Sequence, residues 1–111
     1  MLPDKITAKV DKPIAQHKIS NQIAKGKAIL ELIIETEDHY NTAKQKNDNW
    51  MKNTKCLLLE VINEIAVVQE FPLFLWSDSY DPDNFYEETN DFREALSKGI
   101  QYLEMILSRI E

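Results

Sequence analysis

The fold is decided by the stretch YNTAKQKNDNWMKNTKCLLLEVINEIAVV, residues 40–68. One set of its side chains recurs at steps of three and four, which places the set on one face of an α-helix. The set consists of Tyr40, Ala43, Asn47, Trp50, Thr54, Leu57, Val61, Ile65 and Val68. Such near-heptad spacing is typical of the seam between helices that pack almost antiparallel. It predicts a long helix over residues 37–70, which Pro72 ends because proline disfavours helical geometry at the preceding residue.

A second stripe lies upstream and predicts a first helix over residues 14–35. Its members are Ile19, Ile23, Gly26, Leu30 and Ile33. A glycine within a helix costs about 1 kcal/mol relative to alanine, so Gly26 indicates the close approach of a partner helix. We place the break between the first two helices at residues 36–38.

Downstream, residues 71–84 form an aromatic-rich connection in which Phe74 and Trp76 are expected to pack against the bundle ends. The last helix is predicted to begin near residues 81–83, where Asp81 can cap its first turn and Pro82 fits. Its apolar face contains Phe85, Phe92, Leu96, Gly99, Leu103, Ile106 and Ile110.

Composition supports a helical fold of one domain. The 111 residues include only 2 glycines and 4 prolines, too few for a protein made of turns and short strands. The sequence therefore predicts an all-α, antiparallel bundle of three long helices, or four if residues 47–49 interrupt the second. The bundle domain covers residues 14–111, and residues 1–13 form a short extended arm.

Charge is divided unevenly along the chain. The net charge is -6, yet residues 1–27 hold six lysines and only two aspartates. Because the rest of the chain is acidic, it repels phosphate backbones, and we expect no nucleic-acid binding by the body. The basic arm has three possible contacts: an acidic partner, its own bundle, or none. We expect a solvated arm, since isolated charge runs usually are solvated.

Location is suggested by what the chain lacks. The single cysteine, Cys56, has no internal disulfide partner, and its leucine neighbours suggest a small apolar filler. The first residues lack the apolar core of a signal peptide, and no apolar run is long enough for a membrane span. We expect a cytoplasmic protein with no membrane contact.

Four carboxylates are the best indication of enzymatic chemistry. Glu60 and Glu64 are expected one helical turn apart, as are Glu88 and Asp91 on the next helix. Carboxylates from two facing helices can hold Mg²⁺ for attack on a nucleoside triphosphate. The alternative, common in acidic helical proteins, is that they lie on exposed faces.

Residues 56–103 resemble the all-α nucleotide pyrophosphohydrolases of the MazG and dimeric dUTPase type. These enzymes carry ExxE followed by ExxD, and Glu88-Thr89-Asn90-Asp91 matches the second motif. The first motif departs from the pattern, because Asn63 occupies the position of its second glutamate. This resemblance implies Mg²⁺ as cofactor, held by the four carboxylates just described.

A second resemblance covers residues 19–111. Three stretches resemble a helical module of bacterial proteins linked to phage defence. They are IAKGKAIL (23–30), Trp50 with the apolar pairs 57–58 and 61–62, and FREAL (92–96) with GIQYLE (99–104). That module commonly precedes an effector such as a TIR-like domain and is thought to serve assembly or sensing. The resemblance implies a non-enzymatic interaction module with no catalytic residues.

The last helix suggests where a partner would bind. Its apolar stripe continues to the final residues with no glycine to end it, whereas helices commonly end at one. We therefore expect an exposed apolar surface formed by Met105, Leu107 and Ile110, which mediates self-association or packing on another protein.

Overall fold

A computed structural model describes residues 3–71 and 85–110, with side chains of the second range described from residue 89. It contains the helices α1 (Lys12–Leu30), α2 (Glu37–Val61), α3 (Ile65–Gln69) and α4 (Phe85–Arg109). Within these residues β-pairing is limited to two isolated bridges. The predicted all-α bundle is therefore confirmed. The expected start of the last helix at residues 81–83, and the side chains of Phe74 and Trp76, lie outside the described residues.

The first helix is shifted from its predicted bounds of residues 14–35. It begins at Lys12, with Pro13 in the first turn, where a missing N–H group breaks no helical hydrogen bond. It ends at Leu30. After residues 31–35, the Thr36 hydroxyl caps α2 by accepting a hydrogen bond from the His39 N–H at 3.1 Å. Ile33, predicted on the buried stripe, is 70% exposed.

The second helix starts at Glu37 as predicted and continues through residues 47–49 without interruption. It ends at Val61, so the prediction of one helix to residue 70 was wrong. Ile62 adopts extended backbone and forms an antiparallel bridge with Ala8. The short helix α3 follows, and Ile65 is 59% exposed although it belongs to the predicted stripe.

The N-terminal arm is part of the bundle, and the expectation of a solvated arm was wrong. Ile6 N–H donates to the Arg109 carbonyl and Lys9 N–H to the Val61 carbonyl, both at 2.8 Å. The Lys9 ammonium donates to the Leu59 carbonyl at 3.0 Å. These carbonyls belong to helix ends, where no partner exists within the helix. The arm therefore caps the C-terminal ends of both α2 and α4.

Contacts between the helices, together with those of the arm, give the directions of the helices. Lys18 pairs with Glu60, and Gln22 contacts Thr54, so α1 and α2 are antiparallel. Because α2 and α4 end on one short arm, their C-terminal ends lie at the same end of the bundle. The arm leads directly into α1, which therefore starts at that end and runs antiparallel to both.

The indole of Trp50 fills the space where the three long helices meet. A Cβ atom at Gly26 would lie 2.7 Å from its Cζ2, and a Cβ atom at Gly99 would lie 3.2 Å from its Cζ3. Both glycines have ordinary negative φ, so they are required for space and not for backbone conformation. The close helix approach predicted at Gly26 is confirmed, and so is the burial of Trp50.

We predict that Gly26→Leu lowers the free energy of unfolding by about 1–3 kcal/mol, as overpacked cores do. Leucine is the better helix former by only about 0.8 kcal/mol, which does not offset the clash with the indole. Ala24→Leu is the matched control, since it places the same side chain at an exposed position of α1. Urea denaturation would measure both, and a Gly26→Leu variant as stable as the control would contradict the packing.

We also predict that Ile6→Ala lowers the free energy of unfolding by about 2–5 kcal/mol, because the arm buries the Ile6 side chain fully in the core. Thr7→Ala serves as the control, since Thr7 has an exposed side chain and holds the arm through its backbone. Equal denaturation midpoints for the two variants would show that the arm contributes little to stability.

Candidate functional site

The two carboxylates predicted to share a turn of one helix do not do so. Glu60 lies in the last turn of α2, whereas Glu64 lies beyond the helix end at Val61 and precedes α3. The prediction that they lie on one helical face was wrong, because the pairing of the arm with Ile62 interrupts the helix between them.

Each of these carboxylates has a local partner. Both oxygens of Glu64 accept hydrogen bonds from the Thr7 N–H, at 3.0 and 3.1 Å, so this side chain anchors the arm. Glu60 pairs with Lys18 at 4.0 Å. On α4, Asp91 is exposed, and the side chain of Glu88 lies outside the described residues. Among residues 3–71 and 89–110, no three His, Cys, Asp or Glu side chains form a group that could hold a metal ion.

The surface predicted at the end of α4 is smaller than expected. Met105 is 44% exposed, and Leu107 is half-buried against the core. Ile110 is only 5% exposed, because the arm covers it and Ile6 pairs with it in a parallel bridge. Ile110 therefore belongs to the core and not to an exposed surface.

A concave surface lies between α1 and α2 in the described part of the molecule, and we call it the α1–α2 groove. It is open to solvent and has a volume of about 610 Å³, within the range of ligand sites. Lysine and asparagine side chains flank an apolar strip. The lining residues are Gln22, Lys25, Ala28 and Ile29 from α1, and Lys46, Asn49, Trp50, Asn53, Cys56, Leu57 and Glu60 from α2.

The sequence prediction missed this groove because it followed the buried stripe. The groove residues of α2 recur at the same steps of three and four, but along the neighbouring face of the helix. In that pattern the polar members of the groove are typical of an ordinary solvated face; they are Lys46, Asn49, Asn53 and Glu60. Only the position of α1 beside them makes the face concave.

A buried polar network fixes the floor of the α1–α2 groove. The Trp50 Nε1–H donates to the Gln22 carbonyl at 2.8 Å, across the gap between the helices. The Gln22 amide donates in return to Thr54 Oγ1 at 2.7 Å, and Thr54 Oγ1 donates to the Trp50 carbonyl at 2.6 Å. Because buried polar groups are costly when unpaired, this network holds α1 and α2 in one register.

Cys56 is exposed and lines the groove, so its interpretation as an apolar filler was wrong. The buried positions of α2 on either side of it are Thr54 and Leu58. Cys56 is two positions from each of them, and successive residues are rotated by about 100° about the helix axis. Its side chain therefore lies well away from the buried face. The only cysteine of the chain therefore offers a thiol within the groove.

The groove has an uneven distribution of charge. Lys18 and Glu60 close one end as an ion pair. Lys25 and Lys46 lie toward the other end, and in the described part of the chain no acidic side chain pairs with either. Among the residues that the structure describes, the groove therefore has an excess of positive charge, although the chain as a whole is acidic.

None of the helices, as far as the chain is described, has the length and apolarity needed to cross a membrane.

Comparison with protein families, with curated proteins and with solved structures finds no match for this chain, so its geometry alone must support a function.

Proposed function

We propose that this chain is a non-enzymatic helical interaction module that acts in the cytoplasm and binds another protein through the α1–α2 groove. The observation that carries the proposal is the groove itself: an apolar strip with polar edges, open along two helices. Surfaces of this form take up helical segments of partner proteins, which bury an apolar face and leave polar residues at the edge.

The rigidity of the groove supports the same function. Its two walls are joined by the hydrogen bonds among Gln22, Trp50 and Thr54, so the surface exists before a partner arrives. A preformed surface loses less conformational entropy on binding than one that must be ordered.

The resemblance to the helical module of bacterial phage-defence proteins suggests a role in assembly or sensing. In such a role the partner is either a second copy of the chain or a different protein. The exposed Met105 beside half-buried Leu107 offers a second, smaller contact for self-association. The pyrophosphohydrolase alternative gains no support from the separation of Glu60 and Glu64.

Site-specific photocrosslinking tests the proposal, since Cys56 is the only cysteine. The full chain is labelled at Cys56 with a thiol-directed benzophenone and irradiated, both alone and in an extract of the cells that produce it. We expect a discrete protein adduct that excess unlabelled chain suppresses. Excess Ala28→Glu chain should not suppress it, because a carboxylate at this lining position places an unfavourable charge beside the apolar strip.

The matched control carries the label on α1 outside the groove, as Lys27→Cys in a Cys56→Ser background. Lys27 is exposed and does not line the groove. If both positions give the same adducts, or if Ala28→Glu competes as well as the unchanged chain, the groove is not the binding surface.

A further inference from the structure

We infer that the partner in the α1–α2 groove is an amphipathic α-helix of about 14 residues whose carboxylates face Lys25 and Lys46. This inference rests on the proposed function and specifies the chemistry of the partner. It follows from the length of the groove, its lining and the position of Lys25 and Lys46, for which the described residues offer no acidic partner.

The length of the groove fits a short helix. On α2 it extends from Lys46 to Glu60, which at 1.5 Å per residue is about 21 Å. A straight helix of the same length has about 14 residues. The groove lies between two antiparallel helices, and such a groove receives the side-chain ridges of a third helix at an axial distance of about 8–10 Å.

The lining favours a helix with one apolar face. Ile29 and Leu57 contribute an apolar strip from the two opposite walls, and both are only partly buried by the chain itself. Asn49 and Asn53 lie one turn apart on α2 with exposed side chains. Their amides can hydrogen-bond polar groups at the edge of a partner helix while its apolar residues cover the strip.

The two lysines lie near the same end of the groove. Gln22 lies opposite Trp50 and Thr54, and Lys18 lies opposite Glu60, which fixes the antiparallel register. Lys25 is next to Gly26, whose backbone lies against the Trp50 indole, so Lys25 lies near the level of Trp50 and about one helical turn from Lys46 along the groove. A carboxylate between these ammonium groups would be attracted by both, whereas a lysine there would be repelled.

Other ligands fit these features less well. Nucleic acid would meet the net charge of -6, and it would leave the apolar strip exposed. A helix with carboxylates at one end uses the strip, the asparagines and the lysines together.

Two synthetic peptides test the inference. Both have 14 residues and the same leucine stripe, and they differ in carrying either glutamate or lysine beside that stripe. Calorimetry with the full chain should show the glutamate peptide binding about tenfold more tightly, the effect of two partly exposed ion pairs. Its binding should also slow the alkylation of Cys56, which locates the peptide in the groove.

A charge reversal and a matched control complete the test. Lys25→Glu combined with Lys46→Glu should invert the preference, so that the lysine peptide binds more tightly. Lys27→Glu combined with Lys52→Glu gives the same net charge from exposed positions of the same helices outside the groove. This control should retain the original preference, and circular dichroism would verify that both double variants are folded.

Three results would overturn the inference: equal binding of both peptides, binding of neither, or the same inversion in both double variants. If crosslinking from Cys56 still gives its competed adduct, the groove remains a protein-binding surface with a partner of different chemistry. If the crosslinking also fails, the proposed function falls with the inference.

Discussion

The structure depends on one contact, the insertion of the Trp50 indole between Gly26 of α1 and Gly99 of α4. A Cβ atom at Gly26 would clash with the ring at 2.7 Å, and one at Gly99, at 3.2 Å, would require the ring to shift by a few tenths of an ångström. The absence of a side chain at Gly26 also lets the indole N–H reach the Gln22 carbonyl on the backbone of α1. Phe71 packs beside the indole near Gly99, with its ring centroid 6.2 Å from that of Trp50. One side chain thus sets the distances among three helices and the path of the chain after α3.

Periodicity was enough to predict the helical class, the start of α2, the glycine contact and most of the core. On α4, every member of the predicted stripe whose side chain is described, from Phe92 to Ile110, is buried. The pattern could not show that α2 ends at Val61. Local sequence favours a continuing helix there, and the interruption comes from a pairing with Ala8, more than fifty residues away.

The arm was missed for a related reason. Its lysines indicate solvent exposure when they are read as a charge run, yet the contacts that hold the arm are mainly backbone hydrogen bonds and the side chain of Ile6. Backbone N–H and carbonyl groups are nearly the same in every residue, so the hydrogen bonds they form leave no pattern in the sequence. The α1–α2 groove was missed because concavity depends on the relative placement of two helices, which neither helix encodes by itself. Site prediction therefore failed at the features that involve contacts distant in sequence.

The groove and the core are two faces of the same helix pair. Gln22 and Trp50 take part in both, since they form the buried network and also line the groove. A partner that binds in the groove would therefore contact a surface supported directly by the central indole. The arrangement separates stability from recognition: residues such as Lys25 and Lys46 can change without disturbing the core beneath them.

The capping of α4 by the arm has a consequence for how the molecule folds. The bond from Ile6 to Arg109 joins residues about a hundred positions apart, and closing so long a loop is slow and entropically costly unless intervening structure has already formed. The helices must assemble around the indole before the arm can find both helix ends. During synthesis on the ribosome the arm emerges before α4, and the carbonyl it needs on α4 is made about a hundred residues later. The arm, although made before the helices it caps, therefore reaches its native position after they have formed.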